Sequence, residues 1–323
     1  MQRAALLICM LGFQLVACNP ERISNSVADG LPDSVAVRRL TSGPEQHFAS
    51  AYYHLRTLNA SGSQILCLET TLSENRNPVE GEIASLGLVD LSSGAFTPLA
   101  ETRAWNFQQG AMQQWLGYSP DTLITYNDLR DGRFVSIERN VFSGAERVIG
   151  RALSAVSPDG RRGLSLNFAR LHQTRPGYGY PGPGDDPRLD DPHPQDDGLW
   201  SMDLASGETR LLVSLEDLYR LNPPDSAVAT GRMWINHTMF NTGGTRISFL
   251  GRSPKREGKG WVTAVYTVNP DGSDLKLVLG YDWGGSHYDW LSEDSLMYTT
   301  LIEGRTPMAH ALFCDCPQGP SGF

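Results

Sequence analysis

Apolar residues along the chain fall in short runs, separated by turns rich in Gly, Asp, Asn and Ser. That pattern predicts strands joined by tight turns. The stretch "WINHTMFNTGGTRISFLGR" (234–252) reads as a short apolar run "TMF", a turn "NTGGTR" and a second strand "ISFLGR", with His237 just before the first strand. "GGSHYDWLSEDSLMYTT" (284–300) repeats this, with His287 leading. Related strand–turn–strand units occur in "HLRTLNASGSQILCLET" (54–70), "QQWLGYSPDTLITYND" (113–128) and "ALSAVSPDGRRGLSLNFA" (152–169). A second type of unit follows most of them: strand, Asp or Asn, a Ser-Gly or Asp-Gly turn, strand. It appears as "LGLVDLSSGAFTPLA" (86–100), "VSIERNVFSGAERVI" (135–149), "LWSMDLASGETRLLV" (199–213) and "YTVNPDGSDLKLVL" (266–279).

One unit of each type makes a four-stranded antiparallel meander. Tandem meanders predict an all-β chain folded as a β-propeller, because each blade buries its faces against its neighbours. A β-sandwich is the alternative, and it would not need such repeats. Five blade starts are recognisable over 35–302. "VAVRRLTSG" (35–43) reads as an outer strand with no inner strands before it, and after Leu301 the repeat stops. The expectation is therefore an irregular tail over 303–323 and a C-terminally truncated ring. "RLHQTRPGYGYPGPGDDPRLDDPHPQDDG" (170–198) interrupts the third repeat and reads as a long loop. Its first half carries Arg175, Tyr178, His172 and Tyr180, the chemistry of a binding surface; its second half is acidic and lacks the regular calcium-loop spacing.

Composition narrows the functional classes. A net charge of −9 disfavours nucleic acid as a partner. "MQRAALLICMLGFQLVAC" has Arg3, an apolar stretch too short to span a bilayer, and a terminal "LVAC". It is similar to a bacterial lipoprotein signal, which makes 1–18 a signal segment, Cys18 the lipidated residue and 19–34 a polar tether. The expected location is the bacterial cell envelope, periplasmic or outer-membrane-attached, with a lipid anchor as the only membrane contact. Cys67, inside "QILCLE", reads as a small buried hydrophobe. No nucleophile elbow, phosphate loop, dinucleotide fingerprint or zinc-protease motif is present.

"RRLTSG" followed by "HFASAYYH" and "VDLSSG", together with the His-led "NHTMFNTGGTRISFL" and "SHYDWLSEDSLMYT", resembles the oligogalacturonate lyases and, in blade grammar alone, the Tol-system propellers. The resemblance implies cleavage of an acidic, uronate-containing oligo- or polysaccharide by β-elimination. It implies a ring of roughly seven blades. It also implies His237 as the base and His287 as a ligand of a divalent metal, manganese or calcium. The later Gln and His ligands of those lyases have no counterpart here, since His310 is the sole later histidine. The chemistry asks for a cation to neutralise the uronate carboxylate and a base to remove the adjacent proton. Arg175 is a candidate clamp and Tyr178 a candidate proton donor; His54, Gln108, Gln109, Asn127, His172 and Tyr180 are candidate substrate contacts. The second functional class is a non-catalytic envelope propeller that binds glycans or proteins, or a decayed lyase.

Overall fold

The computed structural model describes residues 38–49, 52–72, 76–182, 190–301 and 308–315. The expected signal segment, Cys18 and the tether lie outside them. Leu40–Phe323 is one compact unit, and it holds every element below.

The first sheet is β1 (Gln46–Phe48), β2 (Gln64–Thr70), β3 (Ala84–Asp90) and β4 (Phe96–Thr102), in that spatial order. The second is β5 (Gln114–Trp115), β6 (Leu123–Arg130), β7 (Arg133–Asn140) and β8 (Glu146–Arg151). The third begins with β9 (Leu153–Val156) and β10 (Arg162–Ser165). It continues after helix α1 (Phe168–Thr174) with β11 (Gly198–Asp203) and β12 (Thr209–Ser214), and helix α2 (Leu215–Leu221) follows it. The fourth is β13 (Trp234–Phe240), β14 (Ile247–Pro254), β15 (Trp261–Val268) and β16 (Lys276–Leu279). The fifth shows three strands among the described residues: β17 (Tyr288–Trp290), β18 (Ser295–Thr300) and β19 (Ala309–Cys314). All strand pairs are antiparallel meanders, which is the blade of a β-propeller.

The Asp/Asn-Ser-Gly turns explain the outer hairpins. Asp90 Oδ1 accepts the N–H groups of Ser92 and Ser93 at 3.0 and 2.8 Å. Asn140 does the same for Phe142 and Ser143, and Asp203 for Ala205 and Ser206. Each loop closes on a glycine with positive φ: Gly94 at 75°, Gly144 at 72° and Gly207 at 76°. The sequence repeat is thus a repeated turn.

Buried side chains join the blades in succession. One cluster links the first and second through Leu66, Leu86, Trp105, Trp115 and Tyr126. Leu116, Ile149, Leu153 and Met202 link the second and third. Leu164, Leu199, Ile235, Phe249 and Tyr266 link the third and fourth, and Leu250, Val265, Tyr288 and Leu296 the fourth and fifth. Burying each such side chain contributes about 1.5–3 kcal/mol. Cys67 is buried as expected, and burial pushes its thiol up to about 11.

Several expectations are corrected. Residues 38–43 form no strand. Gln46–Phe48 takes the innermost place in the first blade, and "HLRTLN" contributes only the Leu58–Ile65 bridge. Asn127, a candidate substrate contact, lies inside β6. The insertion opens with helix α1, whose apolar Phe168, Ala169 and Leu171 are buried and whose first turn is capped by Asn167 accepting from Arg170 N–H. The tail is not wholly irregular, because Ala309–Cys314 pairs along all of β18. That strand was hidden because "AHALFC" follows no Ser-Gly or Asp-Gly turn.

Candidate functional site

The site is built around His237, inside β13 rather than ahead of it. The β13–β14 register shifts between Asn236 and Met239, and His237 has φ 55°. Such a bulge turns one side chain out of the ladder, and a left-handed conformation at a non-glycine residue costs of order 1–3 kcal/mol. The neighbouring structure holds it. The Tyr288 hydroxyl donates to the His237 carbonyl. The Tyr52 ring stacks on the imidazole at 5.4 Å and its hydroxyl bonds Nδ1. Tyr53 and Tyr178 meet the imidazole edge-on at 5.0 and 5.9 Å.

Two guanidinium groups share this region. Arg252, on β14, is 2% exposed. Its hydrogen bonds go to Thr263 Oγ1 at 3.1 Å, Asn236 Oδ1 at 3.3 Å and Ser286 Oγ at 2.8 Å, all neutral acceptors. Arg175, just past α1, lies over the rings of Tyr178 at 4.7 Å and Trp261 at 4.3 Å. Arg246 provides the contrast: it is also buried, but it pairs with Asp315 at 2.6 Å and Asp274 at 3.2 Å. A buried charge without a counter-ion is costly and is a mark of a functional site.

The electrostatics agree. Burial holds the His237 pKa well below its ordinary value, and electrostatic interaction with Arg252, His287 and Arg175 pushes it the same way. The imidazole is neutral at neutral pH. Burial also lowers the pKa of Arg252 and raises those of Tyr52, Tyr53, Tyr288 and Tyr298. Several buried donors here have no acceptor: Tyr53 Oη, Tyr298 Oη, Asn236 Nδ2 and Arg175 Nε. Orphaned donors beside unpaired cations form a cluster complementary to an acceptor-rich anion.

α1 and its following turn place Arg175 and Tyr178. Arg170 anchors the insertion at both ends, donating to Met233 O at 2.8 Å just before β13 and to Asp191 O and Pro192 O at 2.7 and 2.8 Å. Asn106 Nδ2 donates to Tyr178 O and Gly179 O at 3.1 and 3.2 Å. Gly179 fits against α1 so closely that an added Cβ would lie 2.1 Å from His172 N and 2.2 Å from Phe168 O.

No family model matches the sequence, and no curated protein matches it. Solved structures do. The chain is similar to an oligogalacturonate lyase in complex with manganese, with a TM-score of 0.54 and 16% identity over 83% of this chain and 63% of that one. It is similar to the oligogalacturonate lyase of Vibrio parahaemolyticus, with a TM-score of 0.53 and 12% identity over 84% and 69%. TolB from Acinetobacter baumannii superposes at a TM-score of 0.41, with 9% identity over 85% and 53%. The fold is a β-propeller. The chain spans 63% of the length of the first of these lyases, and identities this low carry the fold alone.

The structure brings together His237, Arg175, Tyr178 and His287. It separates the other candidates. Asn127 is wholly committed: Nδ2 donates to Leu153 O and Tyr180 Oη, and Oδ1 accepts from Ser136 and Leu153. Tyr180 is fully buried and stacked on Phe168 at 4.4 Å. Both are core residues, a correction to their expected role as substrate contacts. Gln108 is exposed on a turn, Gln109 is buried within it, and Asn106 binds both their N–H groups; that turn supports the Tyr178 segment. His172 is half-buried on α1, bonded to the backbone of Gly179. His54 lines a different cavity.

A divalent metal does not fit the residues around His287. His237 is the imidazole near it, and no group of three His, Cys, Asp or Glu exists among the described residues. His310, on β19, bonds Thr299 instead.

Sequence reasoning missed Arg252, Tyr52, Tyr53, Ser286 and Tyr298. A signal existed for Arg252: it is a lone charge within "ISFLGRSP", a strand buried along nearly its whole length.

Proposed function

We propose that this propeller binds a uronate-containing oligosaccharide at the His237–Arg252 cluster and cleaves it by β-elimination. The carrying observation is Arg252, buried with neutral partners only, beside a neutral imidazole and a second guanidinium. A uronate carboxylate supplies the missing counter-ion. Two arginines would then carry the enolate-like charge that develops next to it.

The roles follow from position. Arg252 and Arg175 hold the carboxylate. His237 removes the proton on the carbon next to it, through Nε2. That requires the other ring proton on Nδ1, donated to the Tyr52 oxygen. The C–H electrons form the new carbon–carbon double bond as the neighbouring C–O bond breaks. Tyr178, within ring contact of His237, donates a proton to the departing oxygen. One end product carries an unsaturated uronate. The envelope location and lipid anchor at Cys18 belong to the same reading.

The test is incubation of the folded chain with pectic, ulvan-type and glycosaminoglycan polymers while following ultraviolet absorbance of the unsaturated product. Absorbance on at least one polymer, lost in His237→Ala, is expected; none on any uronate polymer refutes cleavage. A second reading, binding without cleavage, is favoured by the burial of His237, only 5% exposed behind the tyrosines. Saturable binding without product would select it.

A further inference from the structure

A cavity of about 150 Å³ lies where β9, β13 and β17 end. Val156, Phe240 and Trp290, the last residues of those strands, form apolar wall. His54, Arg56, Gln114 and Asp289 also line it. Uncharged Thr242 lines it as well, and two more polar lining residues are committed elsewhere: Asn241 accepts from Thr245 and Arg246 N–H, and Ser157 donates to Asp159.

His54, Arg56, Gln114 and Asp289 have capacity to spare. Gln114 is 3% exposed, and its Nε2 is buried without an acceptor. Arg56 donates one bond, to Pro158 O at 3.2 Å. Asp289 Oδ1 accepts Trp290 N–H at 2.8 Å, leaving Oδ2. His54 has no hydrogen bond among the described residues. It is solvent-accessible inside the concave wall, and its pKa falls to about 4 through burial, with Asp289 opposing and Arg56 adding to the shift. It therefore adds no charge at neutral pH.

The cavity thus presents one fixed positive group, one fixed negative group and a buried amide donor. A simple anion would meet Asp289, and a simple cation would meet Arg56. Only a ligand carrying both charges satisfies both. The volume is below the roughly 300–1,000 Å³ of drug-sized pockets, so the ligand has few heavy atoms. We propose that this cavity is a binding site for a small zwitterion of the free α-amino acid class. Its carboxylate lies against Arg56 and Gln114, and its ammonium against Asp289. None of the four groups belongs to the His237–Arg252 cluster, so this proposal stands or fails independently of the lyase reading.

The experiment is an NMR titration of the full chain, following the His54 imidazole with glycine, L-alanine, acetate, ethylamine and D-galacturonate as probes. Glycine or L-alanine should shift it saturably while leaving the His237 resonances in place. Acetate, ethylamine and galacturonate should bind at least about tenfold more weakly. Arg56→Ala and Asp289→Asn, both at exposed positions, should each weaken amino-acid binding about tenfold. Absence of saturable binding by either amino acid overturns the proposal. Equal binding of acetate or galacturonate overturns it too, as do folded variants that bind like the parent. If a variant fails to fold, the five-probe comparison on the parent chain decides.

Discussion

Arg246 and Arg252 stand on the same strand hairpin and differ in their partners, which gives opposite expectations. Removing Arg246 would leave Asp315, whose side chain is 4% exposed, without its main counter-ion. Arg246→Met should cost about 3–5 kcal/mol in denaturant unfolding, the usual penalty for stranding a buried charge. Arg252→Met strands no carboxylate and should cost less than about 2 kcal/mol, while abolishing uronate binding. Equal costs would show that Arg252 is a structural cation. The histidines set a pH dependence. His237 and His54 are held below their ordinary pKa. Above about pH 6.5 neither folded nor unfolded chain protonates them, so they contribute nothing to the slope. As pH falls below that, the unfolded imidazoles take up protons that the native ones refuse, and stability drops. For His54 the drop ends near its folded value of about 4. Melting temperature should therefore fall between pH 6.5 and 4, and fall less in His54→Gln. His237 was legible because it leads a repeat. Arg252 was legible only as a lone charge in an apolar strand; the absence of an acid beside it shows only in the folded arrangement.

At the scale of elements, two devices aim the site: the bulge in β13 and the α1 segment. Neither alternates cleanly, so strand grammar did not reveal them. The apolar run containing His237 read as beginning after it, since a bulge breaks the period of two that marks a strand. The helix was hidden by the Pro- and Gly-rich sequence that follows it. Removing its cap in Asn167→Ala should destabilise the chain by about 1 kcal/mol, measured by denaturant unfolding. The loss of its bond to Asp197, 2.8 Å away, acts in the same direction. Gly179→Ala is the sharper probe of function. The new Cβ would collide with helix backbone, so the loop must move and take Tyr178 with it. Oligogalacturonate affinity should fall at least about tenfold with far-UV circular dichroism unchanged. Unchanged affinity would show that Tyr178 does not contribute.

The whole molecule was the most legible level. Repeated turns marked the blades, and the structure shows five sheets among the described residues. Clusters that each span two neighbouring blades couple them in series, so unfolding should be cooperative. Phe249, fully buried between the third and fourth blades, should cost about 3–5 kcal/mol as Phe249→Ala. What the repeats could not show is where charge lies relative to the blades. The chain carries a net charge of −9, yet Arg252 is buried beside His237 with no carboxylate partner among the described residues. That cluster is the centre of the proposed function. The most direct measurement is calorimetric titration of a short oligogalacturonate and of its neutral methyl ester into the parent chain and Arg252→Met. The account predicts that the parent prefers the acid by more than about tenfold and that the variant loses the preference. Equal affinity of the parent for acid and ester would contradict it.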